Sequence, residues 1–301
     1  MHHAIFATIC LLWGSNFILM KKALTCFGPI TVGGARVALG AAVVAVIWWI
    51  RRQPWPVKRK HAGHLCMVAF LSYIFPYIAQ PYLINRSQSS AFVGMMVSLV
   101  PLSTVLVSIP MLRIHPTPRQ IVGVVGGLLC FCLVFYEGFT VRGLSTFDMM
   151  LAGSVPIGYA AINTYIKKYL SDVPPIPLTL ISLAMAAIAI LPIGLAMEPV
   201  QTDDNLAWAL IALITLGSIG TGVATILFYK LIRERGPLFA GMVTYIIPTL
   251  AMLFGAADRE KLTLLQLLAL LGIFAMVALV QRRPDAKTTP KGDELPPAQV
   301  D

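Results

Sequence analysis

The residues able to act on a solute are few in this 301-residue chain, and they recur at helical spacing inside apolar runs. Trp13, Asn16, Phe17 and Met20 fall on one face of the first run. An amide in hydrocarbon needs partners or water, so Asn16 meets either a polar solute or another helix. Trp13 and Phe17 beside it either stack on that solute or pack as core. Tyr73, Tyr77 and Gln80 share a face in the third run, interrupted by Pro76 and Pro81. The prolines free backbone carbonyls for neighbours or water, and a bent, aromatic, hydrogen-bonding cavity wall is expected. Tyr159 and Asn163 sit four residues apart in the sixth run. Gly94, Ser98 and Pro101 share a face in the fourth run, as Gly241, Tyr245 and Pro248 do in the ninth. Glycine allows close helix approach and proline bends a helix, so Gly94, Pro101, Gly241 and Pro248 are either paired hinges or static kinks. The hydroxyls of Ser218, Thr221 and Thr225 are expected to bond their own backbone.

Arg36 is the only formal charge well inside an apolar run. It lies about six residues from the end, roughly 9 Å deep at 1.5 Å per residue. It either snorkels to the interface or pairs with a solute carboxylate or a helix C-terminus. No acidic residue lies near the centre of a run; Glu137 and Asp148 stand at run ends, and Asp172, Glu198, Glu234 and Asp258 in or beside loops. The five histidines are at termini or loop edges, and neither GxSxG nor HExxH occurs. Hydrolysis or group transfer needs nucleophile–base pairs or metal ligands, so no catalytic residue, metal or cofactor is expected. Cys10, Cys26, Cys66, Cys130 and Cys132 are scattered in apolar context and read as small buried hydrophobes.

The elements that must hold these residues follow from composition. The chain is 57% hydrophobic and 12% charged, with mean hydropathy +0.80. A soluble domain carries about 25% charge, so the bilayer is the solvent. A spanning helix needs about 20 apolar residues. Ten runs meet this: 3–22, 30–50, 64–84, 91–112, 119–136, 148–169, 176–197, 206–230, 238–256 and 262–281. Arg283 to Asp301 is polar and Pro-rich and reads as a disordered tail over 283–301. The net charge of +10 is an orientation signal rather than a sign of nucleic-acid binding. With the N-terminus in the cytoplasm, 16 of the 23 basic residues fall in inside loops and tail and 6 outside, Arg36 being the remaining one. Both termini are therefore expected in the cytoplasm.

The chain also resembles itself. At a shift of 147, Tyr82, Arg86, Phe92, Gly94, Met95 and Pro101 meet Tyr229, Arg233, Phe239, Gly241, Met242 and Pro248. At 146, Lys21, Lys22, Pro29, Ile30 and Gly126 meet Lys167, Lys168, Pro175, Ile176 and Gly272. The repeat unit, 1–140 and 141–282, holds five runs. Five is odd, so the copies enter the membrane from opposite sides. The expected fold is an all-α membrane protein, ten transmembrane helices in a five-plus-five inverted repeat, as is common in secondary transporters.

With Trp13-Gly14-Ser15-Asn16-Phe17 followed by Lys21, and Gly34-Ala35-Arg36-Val37-Ala38-Leu39, the chain resembles the EamA-type branch of the drug/metabolite transporter superfamily over roughly residues 4–282. YddG-type amino-acid exporters are the nearest well-defined likeness. The resemblance implies export of amino acids or related metabolites across a bacterial inner membrane by alternating access. It also implies a cavity lined by spans one, three, four, six, eight and nine. The residues expected to meet the substrate are Trp13, Asn16, Phe17, Tyr73, Tyr77, Gln80, Ser98, Tyr159, Asn163 and Tyr245. The small multidrug exporters, distant relatives, share a glutamate in their first span that this chain lacks, so uncoupled flux is favoured over proton antiport. A proton-coupled exporter of drugs or other small metabolites is the alternative, and a membrane-embedded enzyme a remote one. A passive channel also fits the repeat, and saturable flux separates it from a carrier. Nucleotide conjugates would want several intramembrane cations, and only Arg36 is available.

Overall fold

A computed structural model describes residues 2–52, 57–112, 117–140, 142–170, 172–202, 204–228, 230–231, 234 and 242–281. Gly241 and the tail 283–301 lie outside the described residues. Hydrocarbon offers no partner to a backbone N–H or C=O, so a spanning segment must satisfy them internally. Among the described residues every regular element is accordingly helical.

The helices are α1 (His2–Ala23), α2 (Pro29–Arg51), α3 (Ala62–Ser87), α4 (Ser90–Met111), α5 (Pro118–Thr140), α6 (Thr146–Tyr169), α7 (Pro175–Met197), α8 (Leu206–Phe228), α9 (Val243–Ala257) and α10 (Leu264–Gln281). Among the described residues, seven are long and apolar enough to cross a membrane: α1 to α5, α7 and α8. Helices α9 and α10 are apolar but shorter. Helix α6 has 24 residues and more polar ones, Asp148, Asn163, Lys167 and Lys168 among them. Local chemistry sets the starts. Pro29 and Pro175 open α2 and α7, where a missing N–H costs nothing. Ser145 and Asp148 form a reciprocal capping box on α6.

Three helices depart from α geometry. Helix α3 carries a π turn over Ala69–Ile74, directly before Pro76, whose ring nitrogen has no proton to give. Helix α8 carries a second π turn over Ser218–Val223. Helix α4 tightens into a 3-10 turn over Val97–Leu99, two residues before Pro101.

The broadest interface joins α2 to α7, followed by α5 with α10, α2 with α8, and α4 with both α6 and α9. The backbones of α2 and α7 touch. A Cβ on Gly34 would lie 2.6 Å from the Leu191 Cα, and one on Gly194 2.8 Å from the Thr31 Cα. Around this crossing lie one core cluster including Phe17, Met20, Phe92 and Met149, and another including Val37, Tyr73, Tyr77 and Leu183. The outer surface stays apolar: Ile188 is 77% exposed, Trp49 74% and Trp208 72%. Side chains of this kind belong against lipid.

Candidate functional site

Among the described residues, a buried polar cluster sits where α1, α2, α3, α6 and α8 converge. Asn16 of α1 is 3% exposed, and its Nδ2 donates to the Gly220 carbonyl at 3.1 Å. That carbonyl belongs to the π turn of α8, where the regular i→i−4 ladder is interrupted. Glycine permits this close approach: a Cβ on Gly220 would fall 2.0 Å from Asn16 Oδ1. Thr221, the next residue, accepts from Arg36 Nε at 2.8 Å and donates its own proton to the Leu216 carbonyl at 3.0 Å. Arg36 is buried and does not snorkel. Its guanidinium carbon lies 3.9 Å from the centre of the Tyr77 ring, and Nη1 is 3.5 Å from Met20 Sδ. Tyr77 stands edge-on to Tyr73, with ring centres 5.6 Å apart. Gln80, one turn further along α3, donates to the Tyr159 hydroxyl of α6 at 3.3 Å.

The cluster thus gathers Asn16, Tyr73, Tyr77, Gln80 and Tyr159, together with Arg36. The other expected residues lie elsewhere. Trp13 packs on Phe228, ring centres 4.8 Å apart, on the same face of α1 as Asn16. Phe17 is core, against Gly94 where α4 and α9 meet; a Cβ on Gly94 would sit 2.3 Å from that of Ala251. Ser98 is fully buried in the 3-10 turn, and its hydroxyl donates to the Met95 carbonyl at 2.6 Å. Asn163 is exposed on α6. Tyr245 packs against the Leu99, Leu102, Val124, Ile273 and Val277 cluster. Pro101 follows the 3-10 turn, and Pro248 is buried within α9.

Two contributors were not expected from sequence. Thr221 does bond its own backbone, and it also receives Arg36. The Gly220 carbonyl is available only because α8 leaves α geometry, which no local residue pattern announces.

A second polar group lies at the end of the bundle marked by Lys21. Glu260, between α9 and α10, is buried; its carboxylate accepts from Lys21 Nζ at 2.8 Å and from the backbone N–H groups of Ser90 and Ala91 at 2.9 and 3.1 Å. The hydroxyls of Ser89 and Ser90 donate to it as well, at 2.8 and 2.7 Å. It therefore caps α4 from the other half of the chain, meeting the orphan donors of the first turn. Burial pushes its carboxyl pKa up, but the bonds from Lys21, Ser90 and Ser89 outweigh this and hold it down at about 2. Asp258 is also buried enough to be pushed up, yet hydrogen bonds from Lys22 and Lys21 bring it below the usual carboxylate range. Glu198 caps α2 in the same manner, accepting from Ile30 N and Thr31 N at 3.0 and 2.7 Å. Neither this network nor the capping role of its carboxylate was expected from the sequence.

An all-helical bundle with a lipid-facing apolar surface and a buried polar centre is the build of a membrane transporter. The chain belongs to the EamA-like transporter family of the drug/metabolite transporter superfamily, which matches residues 3–136 and again 147–282. It is a transporter, not an enzyme. It is similar to the uncharacterized transporter YoaV of Bacillus subtilis (strain 168), 21% identical over 92% of this chain and 96% of that one. It is also similar to the protein PagO of Salmonella typhimurium, at 22% identity over 90% of each. An uncharacterized transporter of Archaeoglobus fulgidus is 23% identical over 88% of this chain and 94% of its own. A crystal structure, 19% identical and covering 93% of this chain and 96% of its own, shares the fold with a TM-score of 0.61.

Proposed function

We propose that this protein is a carrier for small amphipathic metabolites, amino acids first among them. It would export them across a bacterial inner membrane by alternating access, without a coupling ion. In this reading ten helices form two inverted five-helix units, 1–140 and 141–282, with both termini and the tail in the cytoplasm. The observation that carries it is the buried cluster itself. Its three cross-links, Asn16 to Gly220, Arg36 to Thr221 and Gln80 to Tyr159, each join the first unit to the second. A substrate held there touches both units, so a rocking of one against the other exposes it to either side.

Further features support the inverted repeat. The 147-residue shift carries the π turn at Ala69–Ile74 onto residues 216–221, overlapping the turn at Ser218–Val223. The main contacts also obey a two-fold exchange of units: α2 with α7, α5 with α10 and α4 with α9 map onto themselves, α1 with α9 maps onto α6 with α4, and α2 with α8 maps onto α7 with α3. Under this reading the Lys21 end is the outer one, the ionic network there closes it, and Gly94, Pro101 and Pro248 are the bending points of α4 and α9.

Counterflow tests the proposal. Proteoliposomes are loaded with single unlabelled amino acids, and entry of a labelled one is followed with no ion gradient. Transient accumulation with a subset, lost in Asn16→Ala protein that elutes as folded, is the expected result. No accumulation with any amino acid sinks the amino-acid reading, and flux that returns only under a pH gradient sinks the uncoupled mechanism.

A further inference from the structure

The electrostatics of the central cluster are unfinished, and the missing part has a definite chemistry. Arg36 is 4% exposed, and a guanidinium stays charged in any protein environment. Buried charges are costly unless paired. Among the described residues no ion pair includes Arg36. The described carboxylates that form ion pairs or cap helices are engaged at the ends of the bundle: Glu137 with Arg142, Asp148 with Ser145 and Arg86, Asp172 with His61, Glu198 on the start of α2, Glu234 with His2, and Asp258 and Glu260 with Lys21. What Arg36 does touch is neutral. Thr221 takes Nε, the Met20 sulfur is a weak acceptor beside Nη1, and the Tyr77 face attracts the cation without neutralising it. Those contacts leave N–H groups of the guanidinium fork uncommitted, and that fork matches a carboxylate in two parallel bonds.

A complementary acceptor lies against the same π turn. Asn16 Oδ1 is a buried acceptor with no donor within hydrogen-bonding distance among the described residues. Asn16 holds the Gly220 carbonyl and Arg36 the adjacent Thr221 hydroxyl, so one turn of α8 seats both. Met20, in contact with Arg36, is one helical turn from Asn16, about 6 Å along the axis of α1. A cation lacking its anion and an acceptor lacking its donor therefore lie within the reach of one small molecule.

We infer that Arg36 and Asn16 are the two poles of a zwitterion site, with the substrate carboxylate on the Arg36 guanidinium and its ammonium on Asn16 Oδ1. This rests on the carrier reading above and narrows it to solutes bearing a single carboxylate and a nearby amine. The aromatic rings of Tyr73 and Tyr77 give the remainder of such a solute an apolar wall. One cation balances one negative charge, which favours a carboxylate over a more highly charged phosphate monoester. The Gly220 carbonyl and the Thr221 hydroxyl of the π turn orient the two poles.

Direct binding tests this apart from transport. The unfolding midpoint of the purified full chain in detergent is measured with each of the twenty standard amino acids. The most stabilising one is then compared with its carboxamide, its decarboxylated amine and its deaminated acid. The intact zwitterion should stabilise most. Arg36→Gln should weaken its apparent affinity by about tenfold or more, with Arg36→Lys intermediate, and Asn16→Leu should remove the preference for the amine. Equal stabilisation by the carboxamide overturns the proposal, as does unchanged selectivity in Arg36→Gln, stabilisation by a phosphate monoester instead, or no stabilisation by any amino acid. The wild-type selectivity series needs no variant, so a misfolded substitution does not shield the idea. Arg36-dependent stabilisation without counterflow would sink the carrier reading and leave the site; counterflow indifferent to the carboxylate would do the reverse.

Discussion

The Lys21 end and the centre of the bundle both tie the first half of the chain to the second through polar groups, on opposite electrostatic terms. At the end, Glu260 receives a lysine, two hydroxyls and two backbone N–H groups, and Asp258 receives two lysines. Each charge meets its complement within the protein. At the centre, among the described residues, Arg36 meets a hydroxyl, a sulfur and a ring, and Asn16 Oδ1 meets no donor. A network complete in itself holds structure together and has little left for a ligand. A network lacking one anion and one donor is stable only at a cost, and that cost falls when a solute supplies both.

The contrast breaks most visibly at Glu260. Glu260→Ala strips Lys21 and the first turn of α4 of their shared acceptor, and loss of one partner of a buried pair costs about 3–5 kcal/mol. A large fall in the unfolding midpoint is expected; a fall equivalent to less than about 1 kcal/mol would mean that the end network is slack. Arg36→Met should behave in the opposite way. It removes a charge that no described carboxylate balances, so the midpoint should hold or rise, while amino-acid counterflow drops by about a hundredfold. A sharp loss of stability with flux intact would make Arg36 a structural residue. Gly220→Ala tests the junction of α1 and α8, since its Cβ would lie 2.0 Å from Asn16 Oδ1. Overpacking of this kind costs about 1–3 kcal/mol, and a lowered apparent affinity should accompany it.

The smallest effect is that of pH. The Glu260 carboxyl is held down at about 2 against an ordinary 4.5, and Asp258 is lowered too. A depressed carboxyl stabilises the fold above its unfolded value and loses that contribution as pH falls through the folded one. The end network should therefore contribute fully at neutral pH and down to about 4.5, then weaken toward 2. Midpoints of wild type and Glu260→Gln, recorded from neutral to acidic pH, should stay apart above 4.5 and converge only below it. Convergence between pH 6 and 8 would contradict this.

Much of the architecture was legible in the chain, because hydrocarbon leaves a spanning segment no choice but helix, and length and hydropathy mark where such segments lie. Gly94 shows how far local reading goes: a small residue announces close approach without naming the partner, which here is Ala251 and Phe17. Ser98 illustrates a different limit. Its type and spacing suit a substrate contact, yet a serine in a helix always has a competing acceptor one turn back, and here the Met95 carbonyl takes it. Thr221 does the same with Leu216 and nevertheless receives Arg36, because a hydroxyl can donate and accept at once. Arg36 itself was readable as a charge about 9 Å deep, with two fates left open. Burial between α2, α3 and α8 decided against snorkelling.

By itself, the sequence determined the solvent, the helices, the repeat and the family, since these depend on composition, on local periodicity and on similarity along the chain. Only the tertiary structure decided which polar groups complete one another. Asn16 meets Gly220 across 204 positions and Glu260 meets Ser90 across 170. Whether a buried charge is answered by another side chain or left for a solute depends on distances between helices, and no pattern within one helix contains them.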